Sequence, residues 1–470
     1  MRRTFPLLLG IFLILSCNNQ DIPTTITGQL SNIQDSIITI ELSLDQITRI
    51  RSIDYRTEFL IEKDGTFSIP VDMPYPGTVT LISNDYNFIA FVILLQGGEI
   101  HLTADCANVK ETLEYHGSNS GINTFNFQWQ QLNDPAYREL RQNAKSYRLL
   151  KNGLDSLQTV SMKMLEDFHS TEKLNKEELL WLRSKIQYGK FVTLNRQAYR
   201  LKAQPGDSNY QLFETLNLED HEAVLISPTY VNVILDYILY EVNAKGIYYS
   251  SLEDNSEYFE TFYQVIRERL TGKVHDVMLS IFISNLLNDF EEGAPKFYER
   301  YLVDCKSPDM IKKTSAVYDE HLEIKNQNLS DNVVLMSTGQ EEPLEVLSRF
   351  ENQVLLLDFW ASWCSPCIYG IPHTKELAGH YKDSAVSVVY IGYDDQESSL
   401  INAIKKHQMD GIHIILNKAE TGTWRKEFSI RGIPTYVLIN KEGEVIPMNN
   451  PHQLNEDTYT IIDSLLSTGL

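Results

Sequence analysis

The sequence predicts a multidomain chain with an N-terminal all-β, sandwich-like region, a central α-helical region and a C-terminal α/β domain. Three patterns carry that expectation. Residues 24–106 hold short runs rich in Val, Ile, Thr and Phe, cut repeatedly by Gly, Asn and Asp. Residues 107–327 lose this alternation and place apolar side chains at helical spacing. Residues 328–470 alternate between the two kinds of stretch, as an α/β layered domain does. A length of 470 residues suggests roughly two to four domains with ample material for cores. The formal charge of -22 argues against nucleic acid as a partner and against direct adsorption to anionic lipid.

Residues 1–17 follow a different logic. Arg2 and Arg3 precede an apolar run from Phe5 to Leu15, and Ser16 and Cys17 close it. That is the layout of a signal peptide, with a run too short for a permanent transmembrane anchor. Ile14-Leu15-Ser16-Cys17, followed by polar Asn18-Asn19-Gln20, resembles a bacterial lipobox. The resemblance implies cleavage before Cys17, acylation of that cysteine, and a lipid anchor in the cell envelope facing periplasm or surface. A plain secretory peptide with an incidental cysteine is the rival reading. Acyl chains hold because each buried CH₂ contributes about 0.8 kcal/mol, and stable attachment needs more than one chain. No later stretch reaches spanning length, and Phe88 to Leu95, apolar for eight residues, reads as a buried strand.

In the β region, Ser36 to Leu42 and Thr57 to Glu62 are strand-like, and Lys63-Asp64-Gly65-Thr66 turns the chain into Phe67 to Pro70. Thr78 to Ile82, Phe88 to Leu95 and Glu99 to Ala104 follow, divided by Asn84-Asp85 and Gly97-Gly98. Several short strands at this spacing suggest a sandwich. No nucleophile, metal cluster or phosphate loop stands among them, so a spacer or partner-docking role is expected.

The central region opens helices by recognisable signals. Asn175-Lys176-Glu177-Glu178 has the spacing of a capping box before Leu179-Leu180-Trp181 and Ile186. Tyr230 to Val242, Tyr258 to Leu270 and Val274 to Phe290 read as further helices, the last stopped by Gly293-Ala294-Pro295. Turn signals fall at Pro205-Gly206-Asp207 and Ser227-Pro228. Tyr237, Tyr240, Phe259, Phe262 and Tyr263 line either a binding groove or a core, and helical spacing favours the core. Polar Ile324 to Asn332 is the expected linker.

In the last domain, Val333 to Met336 and Val354 to Phe359 are early strands. A helix starts at Cys364, with Pro372 able to kink it. Ala385 to Gly392 and Ile412 to Leu416 are strands flanking a helix at Ser398 to Gln408. Tyr436 to Ile439 and Glu444 to Pro447 make a hairpin around Asn440-Lys441-Glu442-Gly443, and a helix near Glu456 to Leu466 ends the domain.

The chemistry concentrates at Asp358-Phe359-Trp360-Ala361-Ser362-Trp363-Cys364-Ser365-Pro366-Cys367. An apolar strand ends there and a helix begins, with the first cysteine at the helix N-terminus. Unpaired backbone N–H groups and the helix dipole at that place stabilise a thiolate. The second cysteine, one turn on, is placed to attack a mixed disulfide and release the product. The rival reading is half of a zinc site, but no second Cys-x-x-Cys or close Cys/His pair completes it. The remaining cysteines, Cys106 and Cys305, are either a second pair or two separate buried thiols, and the second reading is preferred.

At these residues the chain resembles the thioredoxin superfamily, specifically the TlpA/ResA-type thiol-disulfide oxidoreductases of bacterial envelopes. The resemblance continues about seventy residues on at Arg431-Gly432-Ile433-Pro434-Thr435, and covers residues 328–470. It implies thioredoxin topology, a cis peptide before Pro434, and a docking surface formed by Trp363, Ile433 and Pro434. An X-Pro bond adopts cis at a penalty of only about 0.5–1 kcal/mol, and proline brings no N–H to compete with a docking substrate. The 24–106 region similarly resembles the small β-domain that precedes thioredoxin modules in lipoproteins of Bacteroidetes.

The roles follow. Cys364 is the expected nucleophile, as the more exposed of the pair and the one at the helix start, and Cys367 the resolving thiol. Asp358 occupies the position of the buried acid of thioredoxin, where desolvation raises its pKa and lets it take a proton from Cys367. A solvated strand-end aspartate is the rival. The ResA-like subgroup carries a glutamate shortly after the second cysteine where this chain has Gly370, so the acid function rests on Asp358. Trp363 is expected to pack beside the site, and His373 to be a surface residue. A peroxiredoxin would need Thr or Ser three residues before its cysteine, and a copper-delivery relative a Cys-x-x-x-Cys pair, so both are excluded. The expected partners are protein thiols and disulfides of the envelope and an outside thiol protein that supplies electrons, with no cofactor and no metal. The alternative class is a binding lipoprotein whose N-terminal regions capture a partner and whose thioredoxin-like domain serves recognition.

Overall fold

The computed structural model describes residues 24–34, 37–43, 56–71, 77–83, 87–95, 97–198, 200–201, 212–249, 255–339, 341–393, 395–448, 451–452 and 454–467. The leader with Cys17, and the turns at Asn84-Asp85 and Pro205-Gly206-Asp207, lie outside them.

Eight strands open the described chain: β1 (Thr24–Ser31), β2 (Ile37–Ser43), β3 (Arg56–Leu60), β4 (Thr66–Val71), β5 (Gly77–Ser83), β6 (Ile89–Leu94), β7 (Glu99–Asp105) and β8 (Glu114–Gly117). They form two four-stranded sheets, ordered β4-β1-β7-β8 and β3-β2-β5-β6. Strict in/out alternation along β1, β5 and β7 turns one apolar face of each sheet inward. Ile26, Ile69 and Leu102 from the first sheet meet Ile38, Leu81 and Val92 from the second in one core. Two strands had no clear signal. β1 carries only Ile26 and Leu30 as large apolar residues, and its Gly28 leaves room that a Cβ would lose to the Phe67 ring, 2.4 Å away. β8, with Tyr115 as its single buried residue, extends the sheet to Gly117, past the expected boundary at residue 106.

Helices follow: α1 (Val109–Thr112), α2 (Ser120–Asn143), α3 (Tyr147–Glu172), α4 (Lys176–Ala198), α5 (Ala223–Ile226), α6 (Pro228–Ala244), α7 (Ser256–Arg269), α8 (Gly272–Asn288), α9 (Ala294–Asp304) and α10 (Pro308–Asn326). The α2 helix covers the open edge of β6. The Asn123 amide accepts from the Ile93 N–H at 2.7 Å and donates to the Ile93 carbonyl at 2.9 Å, standing in for a missing strand. Asn175 caps α4 as expected: its Oδ1 accepts from the N–H groups of Glu177 and Glu178, and Glu178 returns a bond to the Asn175 N–H. Pro295 lies in the first turn of α9 rather than only stopping α8, since a residue without an N–H suits that place. Tyr237, Phe259, Phe262 and Tyr263 are buried in the helical core with Tyr240 packed against it, so the core reading prevails over the groove. Cys305 is buried, Cys106 half-buried, and the two are not bonded to each other.

The last domain contains β9 (Val333–Met336), α11 (Pro343–Leu347), β10 (Val354–Trp360), α12 (Ser365–His380), β11 (Val386–Gly392), α13 (Glu397–Lys406), β12 (Gly411–Ile415), α14 (Lys418–Glu427), β13 (Thr435–Ile439), β14 (Val445–Ile446) and α15 (Glu456–Ser467). Its sheet runs β14-β13-β10-β11-β12-β9. The central β10 pairs parallel with β11 and antiparallel with β13. All of its residues are buried, which explains the apolar run from Val354 to Leu357. One face of the sheet packs on α12, α13 and α15, with both cysteines in that layer, and the other on α11 and α14. Neither α11 nor α14 was expected. The latter is polar apart from Trp424, although the Asn417/Glu420 capping box that starts it is legible. The linker is shorter than expected, because α10 runs to Asn326. The N-terminal end of α13 touches the helical region, where the Ser399 hydroxyl donates to the Asp289 carbonyl at 3.0 Å. Among the described residues no helix is long and apolar enough to cross a membrane.

Candidate active site

The carboxyl end of β10 delivers the chain into a short loop and then into α12. Cys364 is the N-cap of that helix, with Pro366 in its first turn. Its sulfur accepts the Cys367 N–H at 3.2 Å, so a helix-terminal donor already points at it. The two cysteines form a disulfide with Cα atoms 5.2 Å apart. Exposure does not separate the pair as expected: Cys364 is 4% exposed and Cys367 2%. Cys364 differs from its partner in the cap position and the N–H bond.

Trp363 is 43% exposed beside this buried pair, a large apolar surface at the mouth of the site. The Ile433–Pro434 peptide is cis. Ile433 packs against the layer that holds both cysteines, and the Pro434 carbonyl accepts from His452 Nδ1 at 2.7 Å. His373 is exposed on α12 and meets the Tyr369 ring edge-on. Asp395, which the sequence did not mark, holds the loop from behind: its Oδ2 accepts the Ser362 N–H at 2.6 Å. Burial pushes the Asp395 carboxyl up to about 6. In the adjoining helical region burial, then the nearby charges of Asp289 and Asp395, push Glu291 up to about 7.

Asp358 is 2% exposed in the central strand, which excludes the solvated reading. In α12 the buried positions Cys367, Gly370, Ile371 and Thr374 recur at helical spacing and line one face. Thr374 reaches from this face to the acid, its Oγ1 lying 3.1 Å from Asp358 Oδ2 and 3.2 Å from the Gly370 carbonyl. The other carboxyl oxygen, Oδ1, has no hydrogen-bond partner. Desolvation therefore dominates and raises the carboxyl to about 7, against a smaller pull downward from Thr374.

A sequence profile described as thioredoxin-like matches residues 352–445. Over these residues the chain is similar to thioredoxin-like domains. Its curated relatives include the thiol-disulfide oxidoreductase ResA of Bacillus thuringiensis subsp. konkukian, 28% identical over 110 residues, which are 23% of this chain and 62% of that one. ResA of Halalkalibacterium halodurans is 26% identical over 103 residues, 22% of this chain and 57% of its own. The chain thus spans less than two thirds of these relatives. Among solved structures, the thioredoxin domain of a thiol-disulfide oxidoreductase from Bacteroides vulgatus has a TM-score of 0.24 at 22% identity, covering 26% of this chain and 84% of that one.

Linkage gives the buried acid a signature. A carboxyl held near 7 in the fold and near 3.8 when unfolded favours the folded state while protonated. That contribution is complete below the unfolded value and is lost as pH rises through the folded one. Asp358→Asn should therefore stabilise the C-terminal domain at pH 8, by at most on the order of 4 kcal/mol, with the gain vanishing toward pH 4. Urea unfolding of this domain, followed by Trp fluorescence at both pH values, checks it. A gain of equal size at both would contradict the burial argument.

Proposed function

We propose that this chain is a thiol-disulfide oxidoreductase acting on protein disulfides in the bacterial envelope. The observation that carries the reading is the Cys364–Cys367 disulfide at the N-cap of α12, with the first sulfur already bonded to a helix-terminal N–H. In the reduced protein, the Cys364 thiolate attacks a substrate disulfide and expels one substrate thiolate, forming a mixed disulfide. Cys367 then gives its proton to the Asp358 carboxylate and attacks Cys364 Sγ. The second substrate thiolate leaves, two electrons have passed to the substrate, and the chain is left with its own disulfide. An outside dithiol must return those electrons. Trp363, Ile433 and Pro434 form the surface against which the substrate segment docks. The rival, a pure binding protein, has no use for two thiols that can close on each other.

The β-rich and helical regions are read as a scaffold or docking platform that carries the redox domain away from a lipid anchor on Cys17. Replacing Cys17 by Ala should abolish metabolic labelling of the full chain with palmitate and release it or leave it unprocessed. Undiminished labelling would remove the anchor from the account.

Direction follows from the dipeptide between the cysteines. Ser365-Pro366 lacks the histidine that, in strong oxidants, stabilises the thiolate and with it the reduced form. The couple should lie nearer about −270 mV than about −120 mV, making the chain a reductase or isomerase. Equilibrating the full chain with glutathione and dithiothreitol buffers measures it. A value above about −180 mV would make the chain an oxidant instead.

A further inference from the structure

The redox domain is tied to the helical region, and the helix that joins them leads back to the cysteines. α13 is held at both ends. In its first turn the buried Ser399 hydroxyl donates to the Asp289 carbonyl at 3.0 Å. Near its end Lys405 Nζ donates to the Lys325 carbonyl at 3.2 Å, and Lys406 Nζ lies 3.6 Å from Glu320 Oε1. The terminus of α8 aims the Asp289 carbonyl outward. Phe290 takes a left-handed φ of 55°, its N–H donating to the Leu287 carbonyl and the Glu291 N–H to the Leu286 carbonyl. The Phe290 ring stacks on buried His321 of α10, centroids 5.1 Å apart, which seats this terminus.

Just before α13 stands buried Asp395. Its Oδ1 accepts the N–H of Gln396, the helix cap, at 2.7 Å, and its Oδ2 accepts the Ser362 N–H at 2.6 Å. Ser362 sits in a tight turn closed by the Cys364 N–H, which donates to the Ala361 carbonyl at 3.1 Å. One carboxyl thus ties the start of α13 to the turn that delivers Cys364 to its cap position. There the Cys364 sulfur accepts the Cys367 N–H at 3.2 Å. We propose that Asp395 is a positioning residue for Cys364, and that the Ser399–Asp289 contact makes the helical region part of the redox unit. The contact fixes α13, α13 fixes Asp395, and Asp395 fixes the turn that keeps the sulfur on its helix-terminal N–H. The proposal rests on the reading of Cys364 as the attacking thiol. Without the anchor the turn drifts, the N–H bond weakens and the thiolate loses stabilisation. The groups near Asp395 from the helical region are the carboxyls of Asp289 and Glu291 and the Tyr249 phenol. A change at Asp395 therefore alters local charge as well as the anchor, whereas a change at Ser399 alters the anchor alone.

The test is alkylation of Cys364 by iodoacetamide in the reduced full chain as a function of pH, with fragment mass spectra separating Cys364 from Cys367. Ser399→Ala should raise the Cys364 midpoint by on the order of half a pH unit, so that alkylation below it slows roughly threefold. Alanine favours a helix, so loss of folding is not expected, and the urea midpoint of the variant checks this. In an Asp395→Ala background the same Ser399→Ala change should move the midpoint no further, because the link is already cut. Ser384→Ala, which removes a hydroxyl bond to the Tyr381 carbonyl elsewhere in the redox domain, should leave the midpoint in place. An unmoved or lowered midpoint in Ser399→Ala would overturn the proposal. So would an undiminished shift in the Asp395→Ala background, or an equal rise in Ser384→Ala. The underlying reading fails separately. If Cys364→Ser still captures a substrate disulfide through Cys367, Cys364 is not the attacking thiol, and the alkylation shift stands apart from that result.

Discussion

An ionisable carboxyl in the dry centre of a sheet constrains everything around it. Asp358 lies in a strand whose every residue is buried, between two layers of helices. A permanent charge there would carry a desolvation cost that its single bond from Thr374 offsets only in part. The group resolves this by titrating near neutrality. That same property suits it to receive a proton from a thiol and return it to solvent within one catalytic cycle. The burial that makes β10 stable as a central strand is therefore also what raises the carboxyl toward neutrality.

The cysteine pair depends on the other end of the same strand. β10 ends at Trp360, the loop is held by the Asp395 carboxylate on the Ser362 N–H, and α12 starts with Cys364 as its cap. Strand, loop and helix thus fix Cys364 at an N-terminus while Cys367 faces inward on the layer that contains the acid. Two sulfurs of one chemical kind acquire different environments because one is the cap and the other lies one turn inside. A second, independent segment reaches the same layer, the cis Ile433–Pro434 loop before β13, the strand that also carries Tyr436.

What could be read from the sequence was what is local and periodic. The Val354 to Leu357 run, the Cys-x-x-Cys at a helix start, the Asn175 capping box and the apolar helices α6 to α8 each write their structure in neighbouring residues. β1, β8 and α14 were missed because each buries three side chains or fewer and owes its conformation to a partner elsewhere. The site shows the same division. Asp358 could be named from its place before the cysteines. Asp395, Thr374 and Tyr436 could not, because only the fold brings them to the loop and the acid. Gly370 illustrates the limit: in sequence it is a missing carboxylate, and in three dimensions it is the space filled by a phenol hydroxyl from another strand.

The central claim is that Asp358 takes the proton from Cys367 during resolution of the mixed disulfide. Stopped-flow resolution of a preformed mixed disulfide on Cys364, compared between the full chain and Asp358→Asn across pH 6–9 (roughly the thiol titration range), tests it most directly. The account predicts that the variant folds, resolves more slowly, and loses the rise in rate that the unaltered chain shows as pH passes about 7. Rates equal to those of the unaltered chain at every pH would contradict it and leave Asp358 a buried bystander.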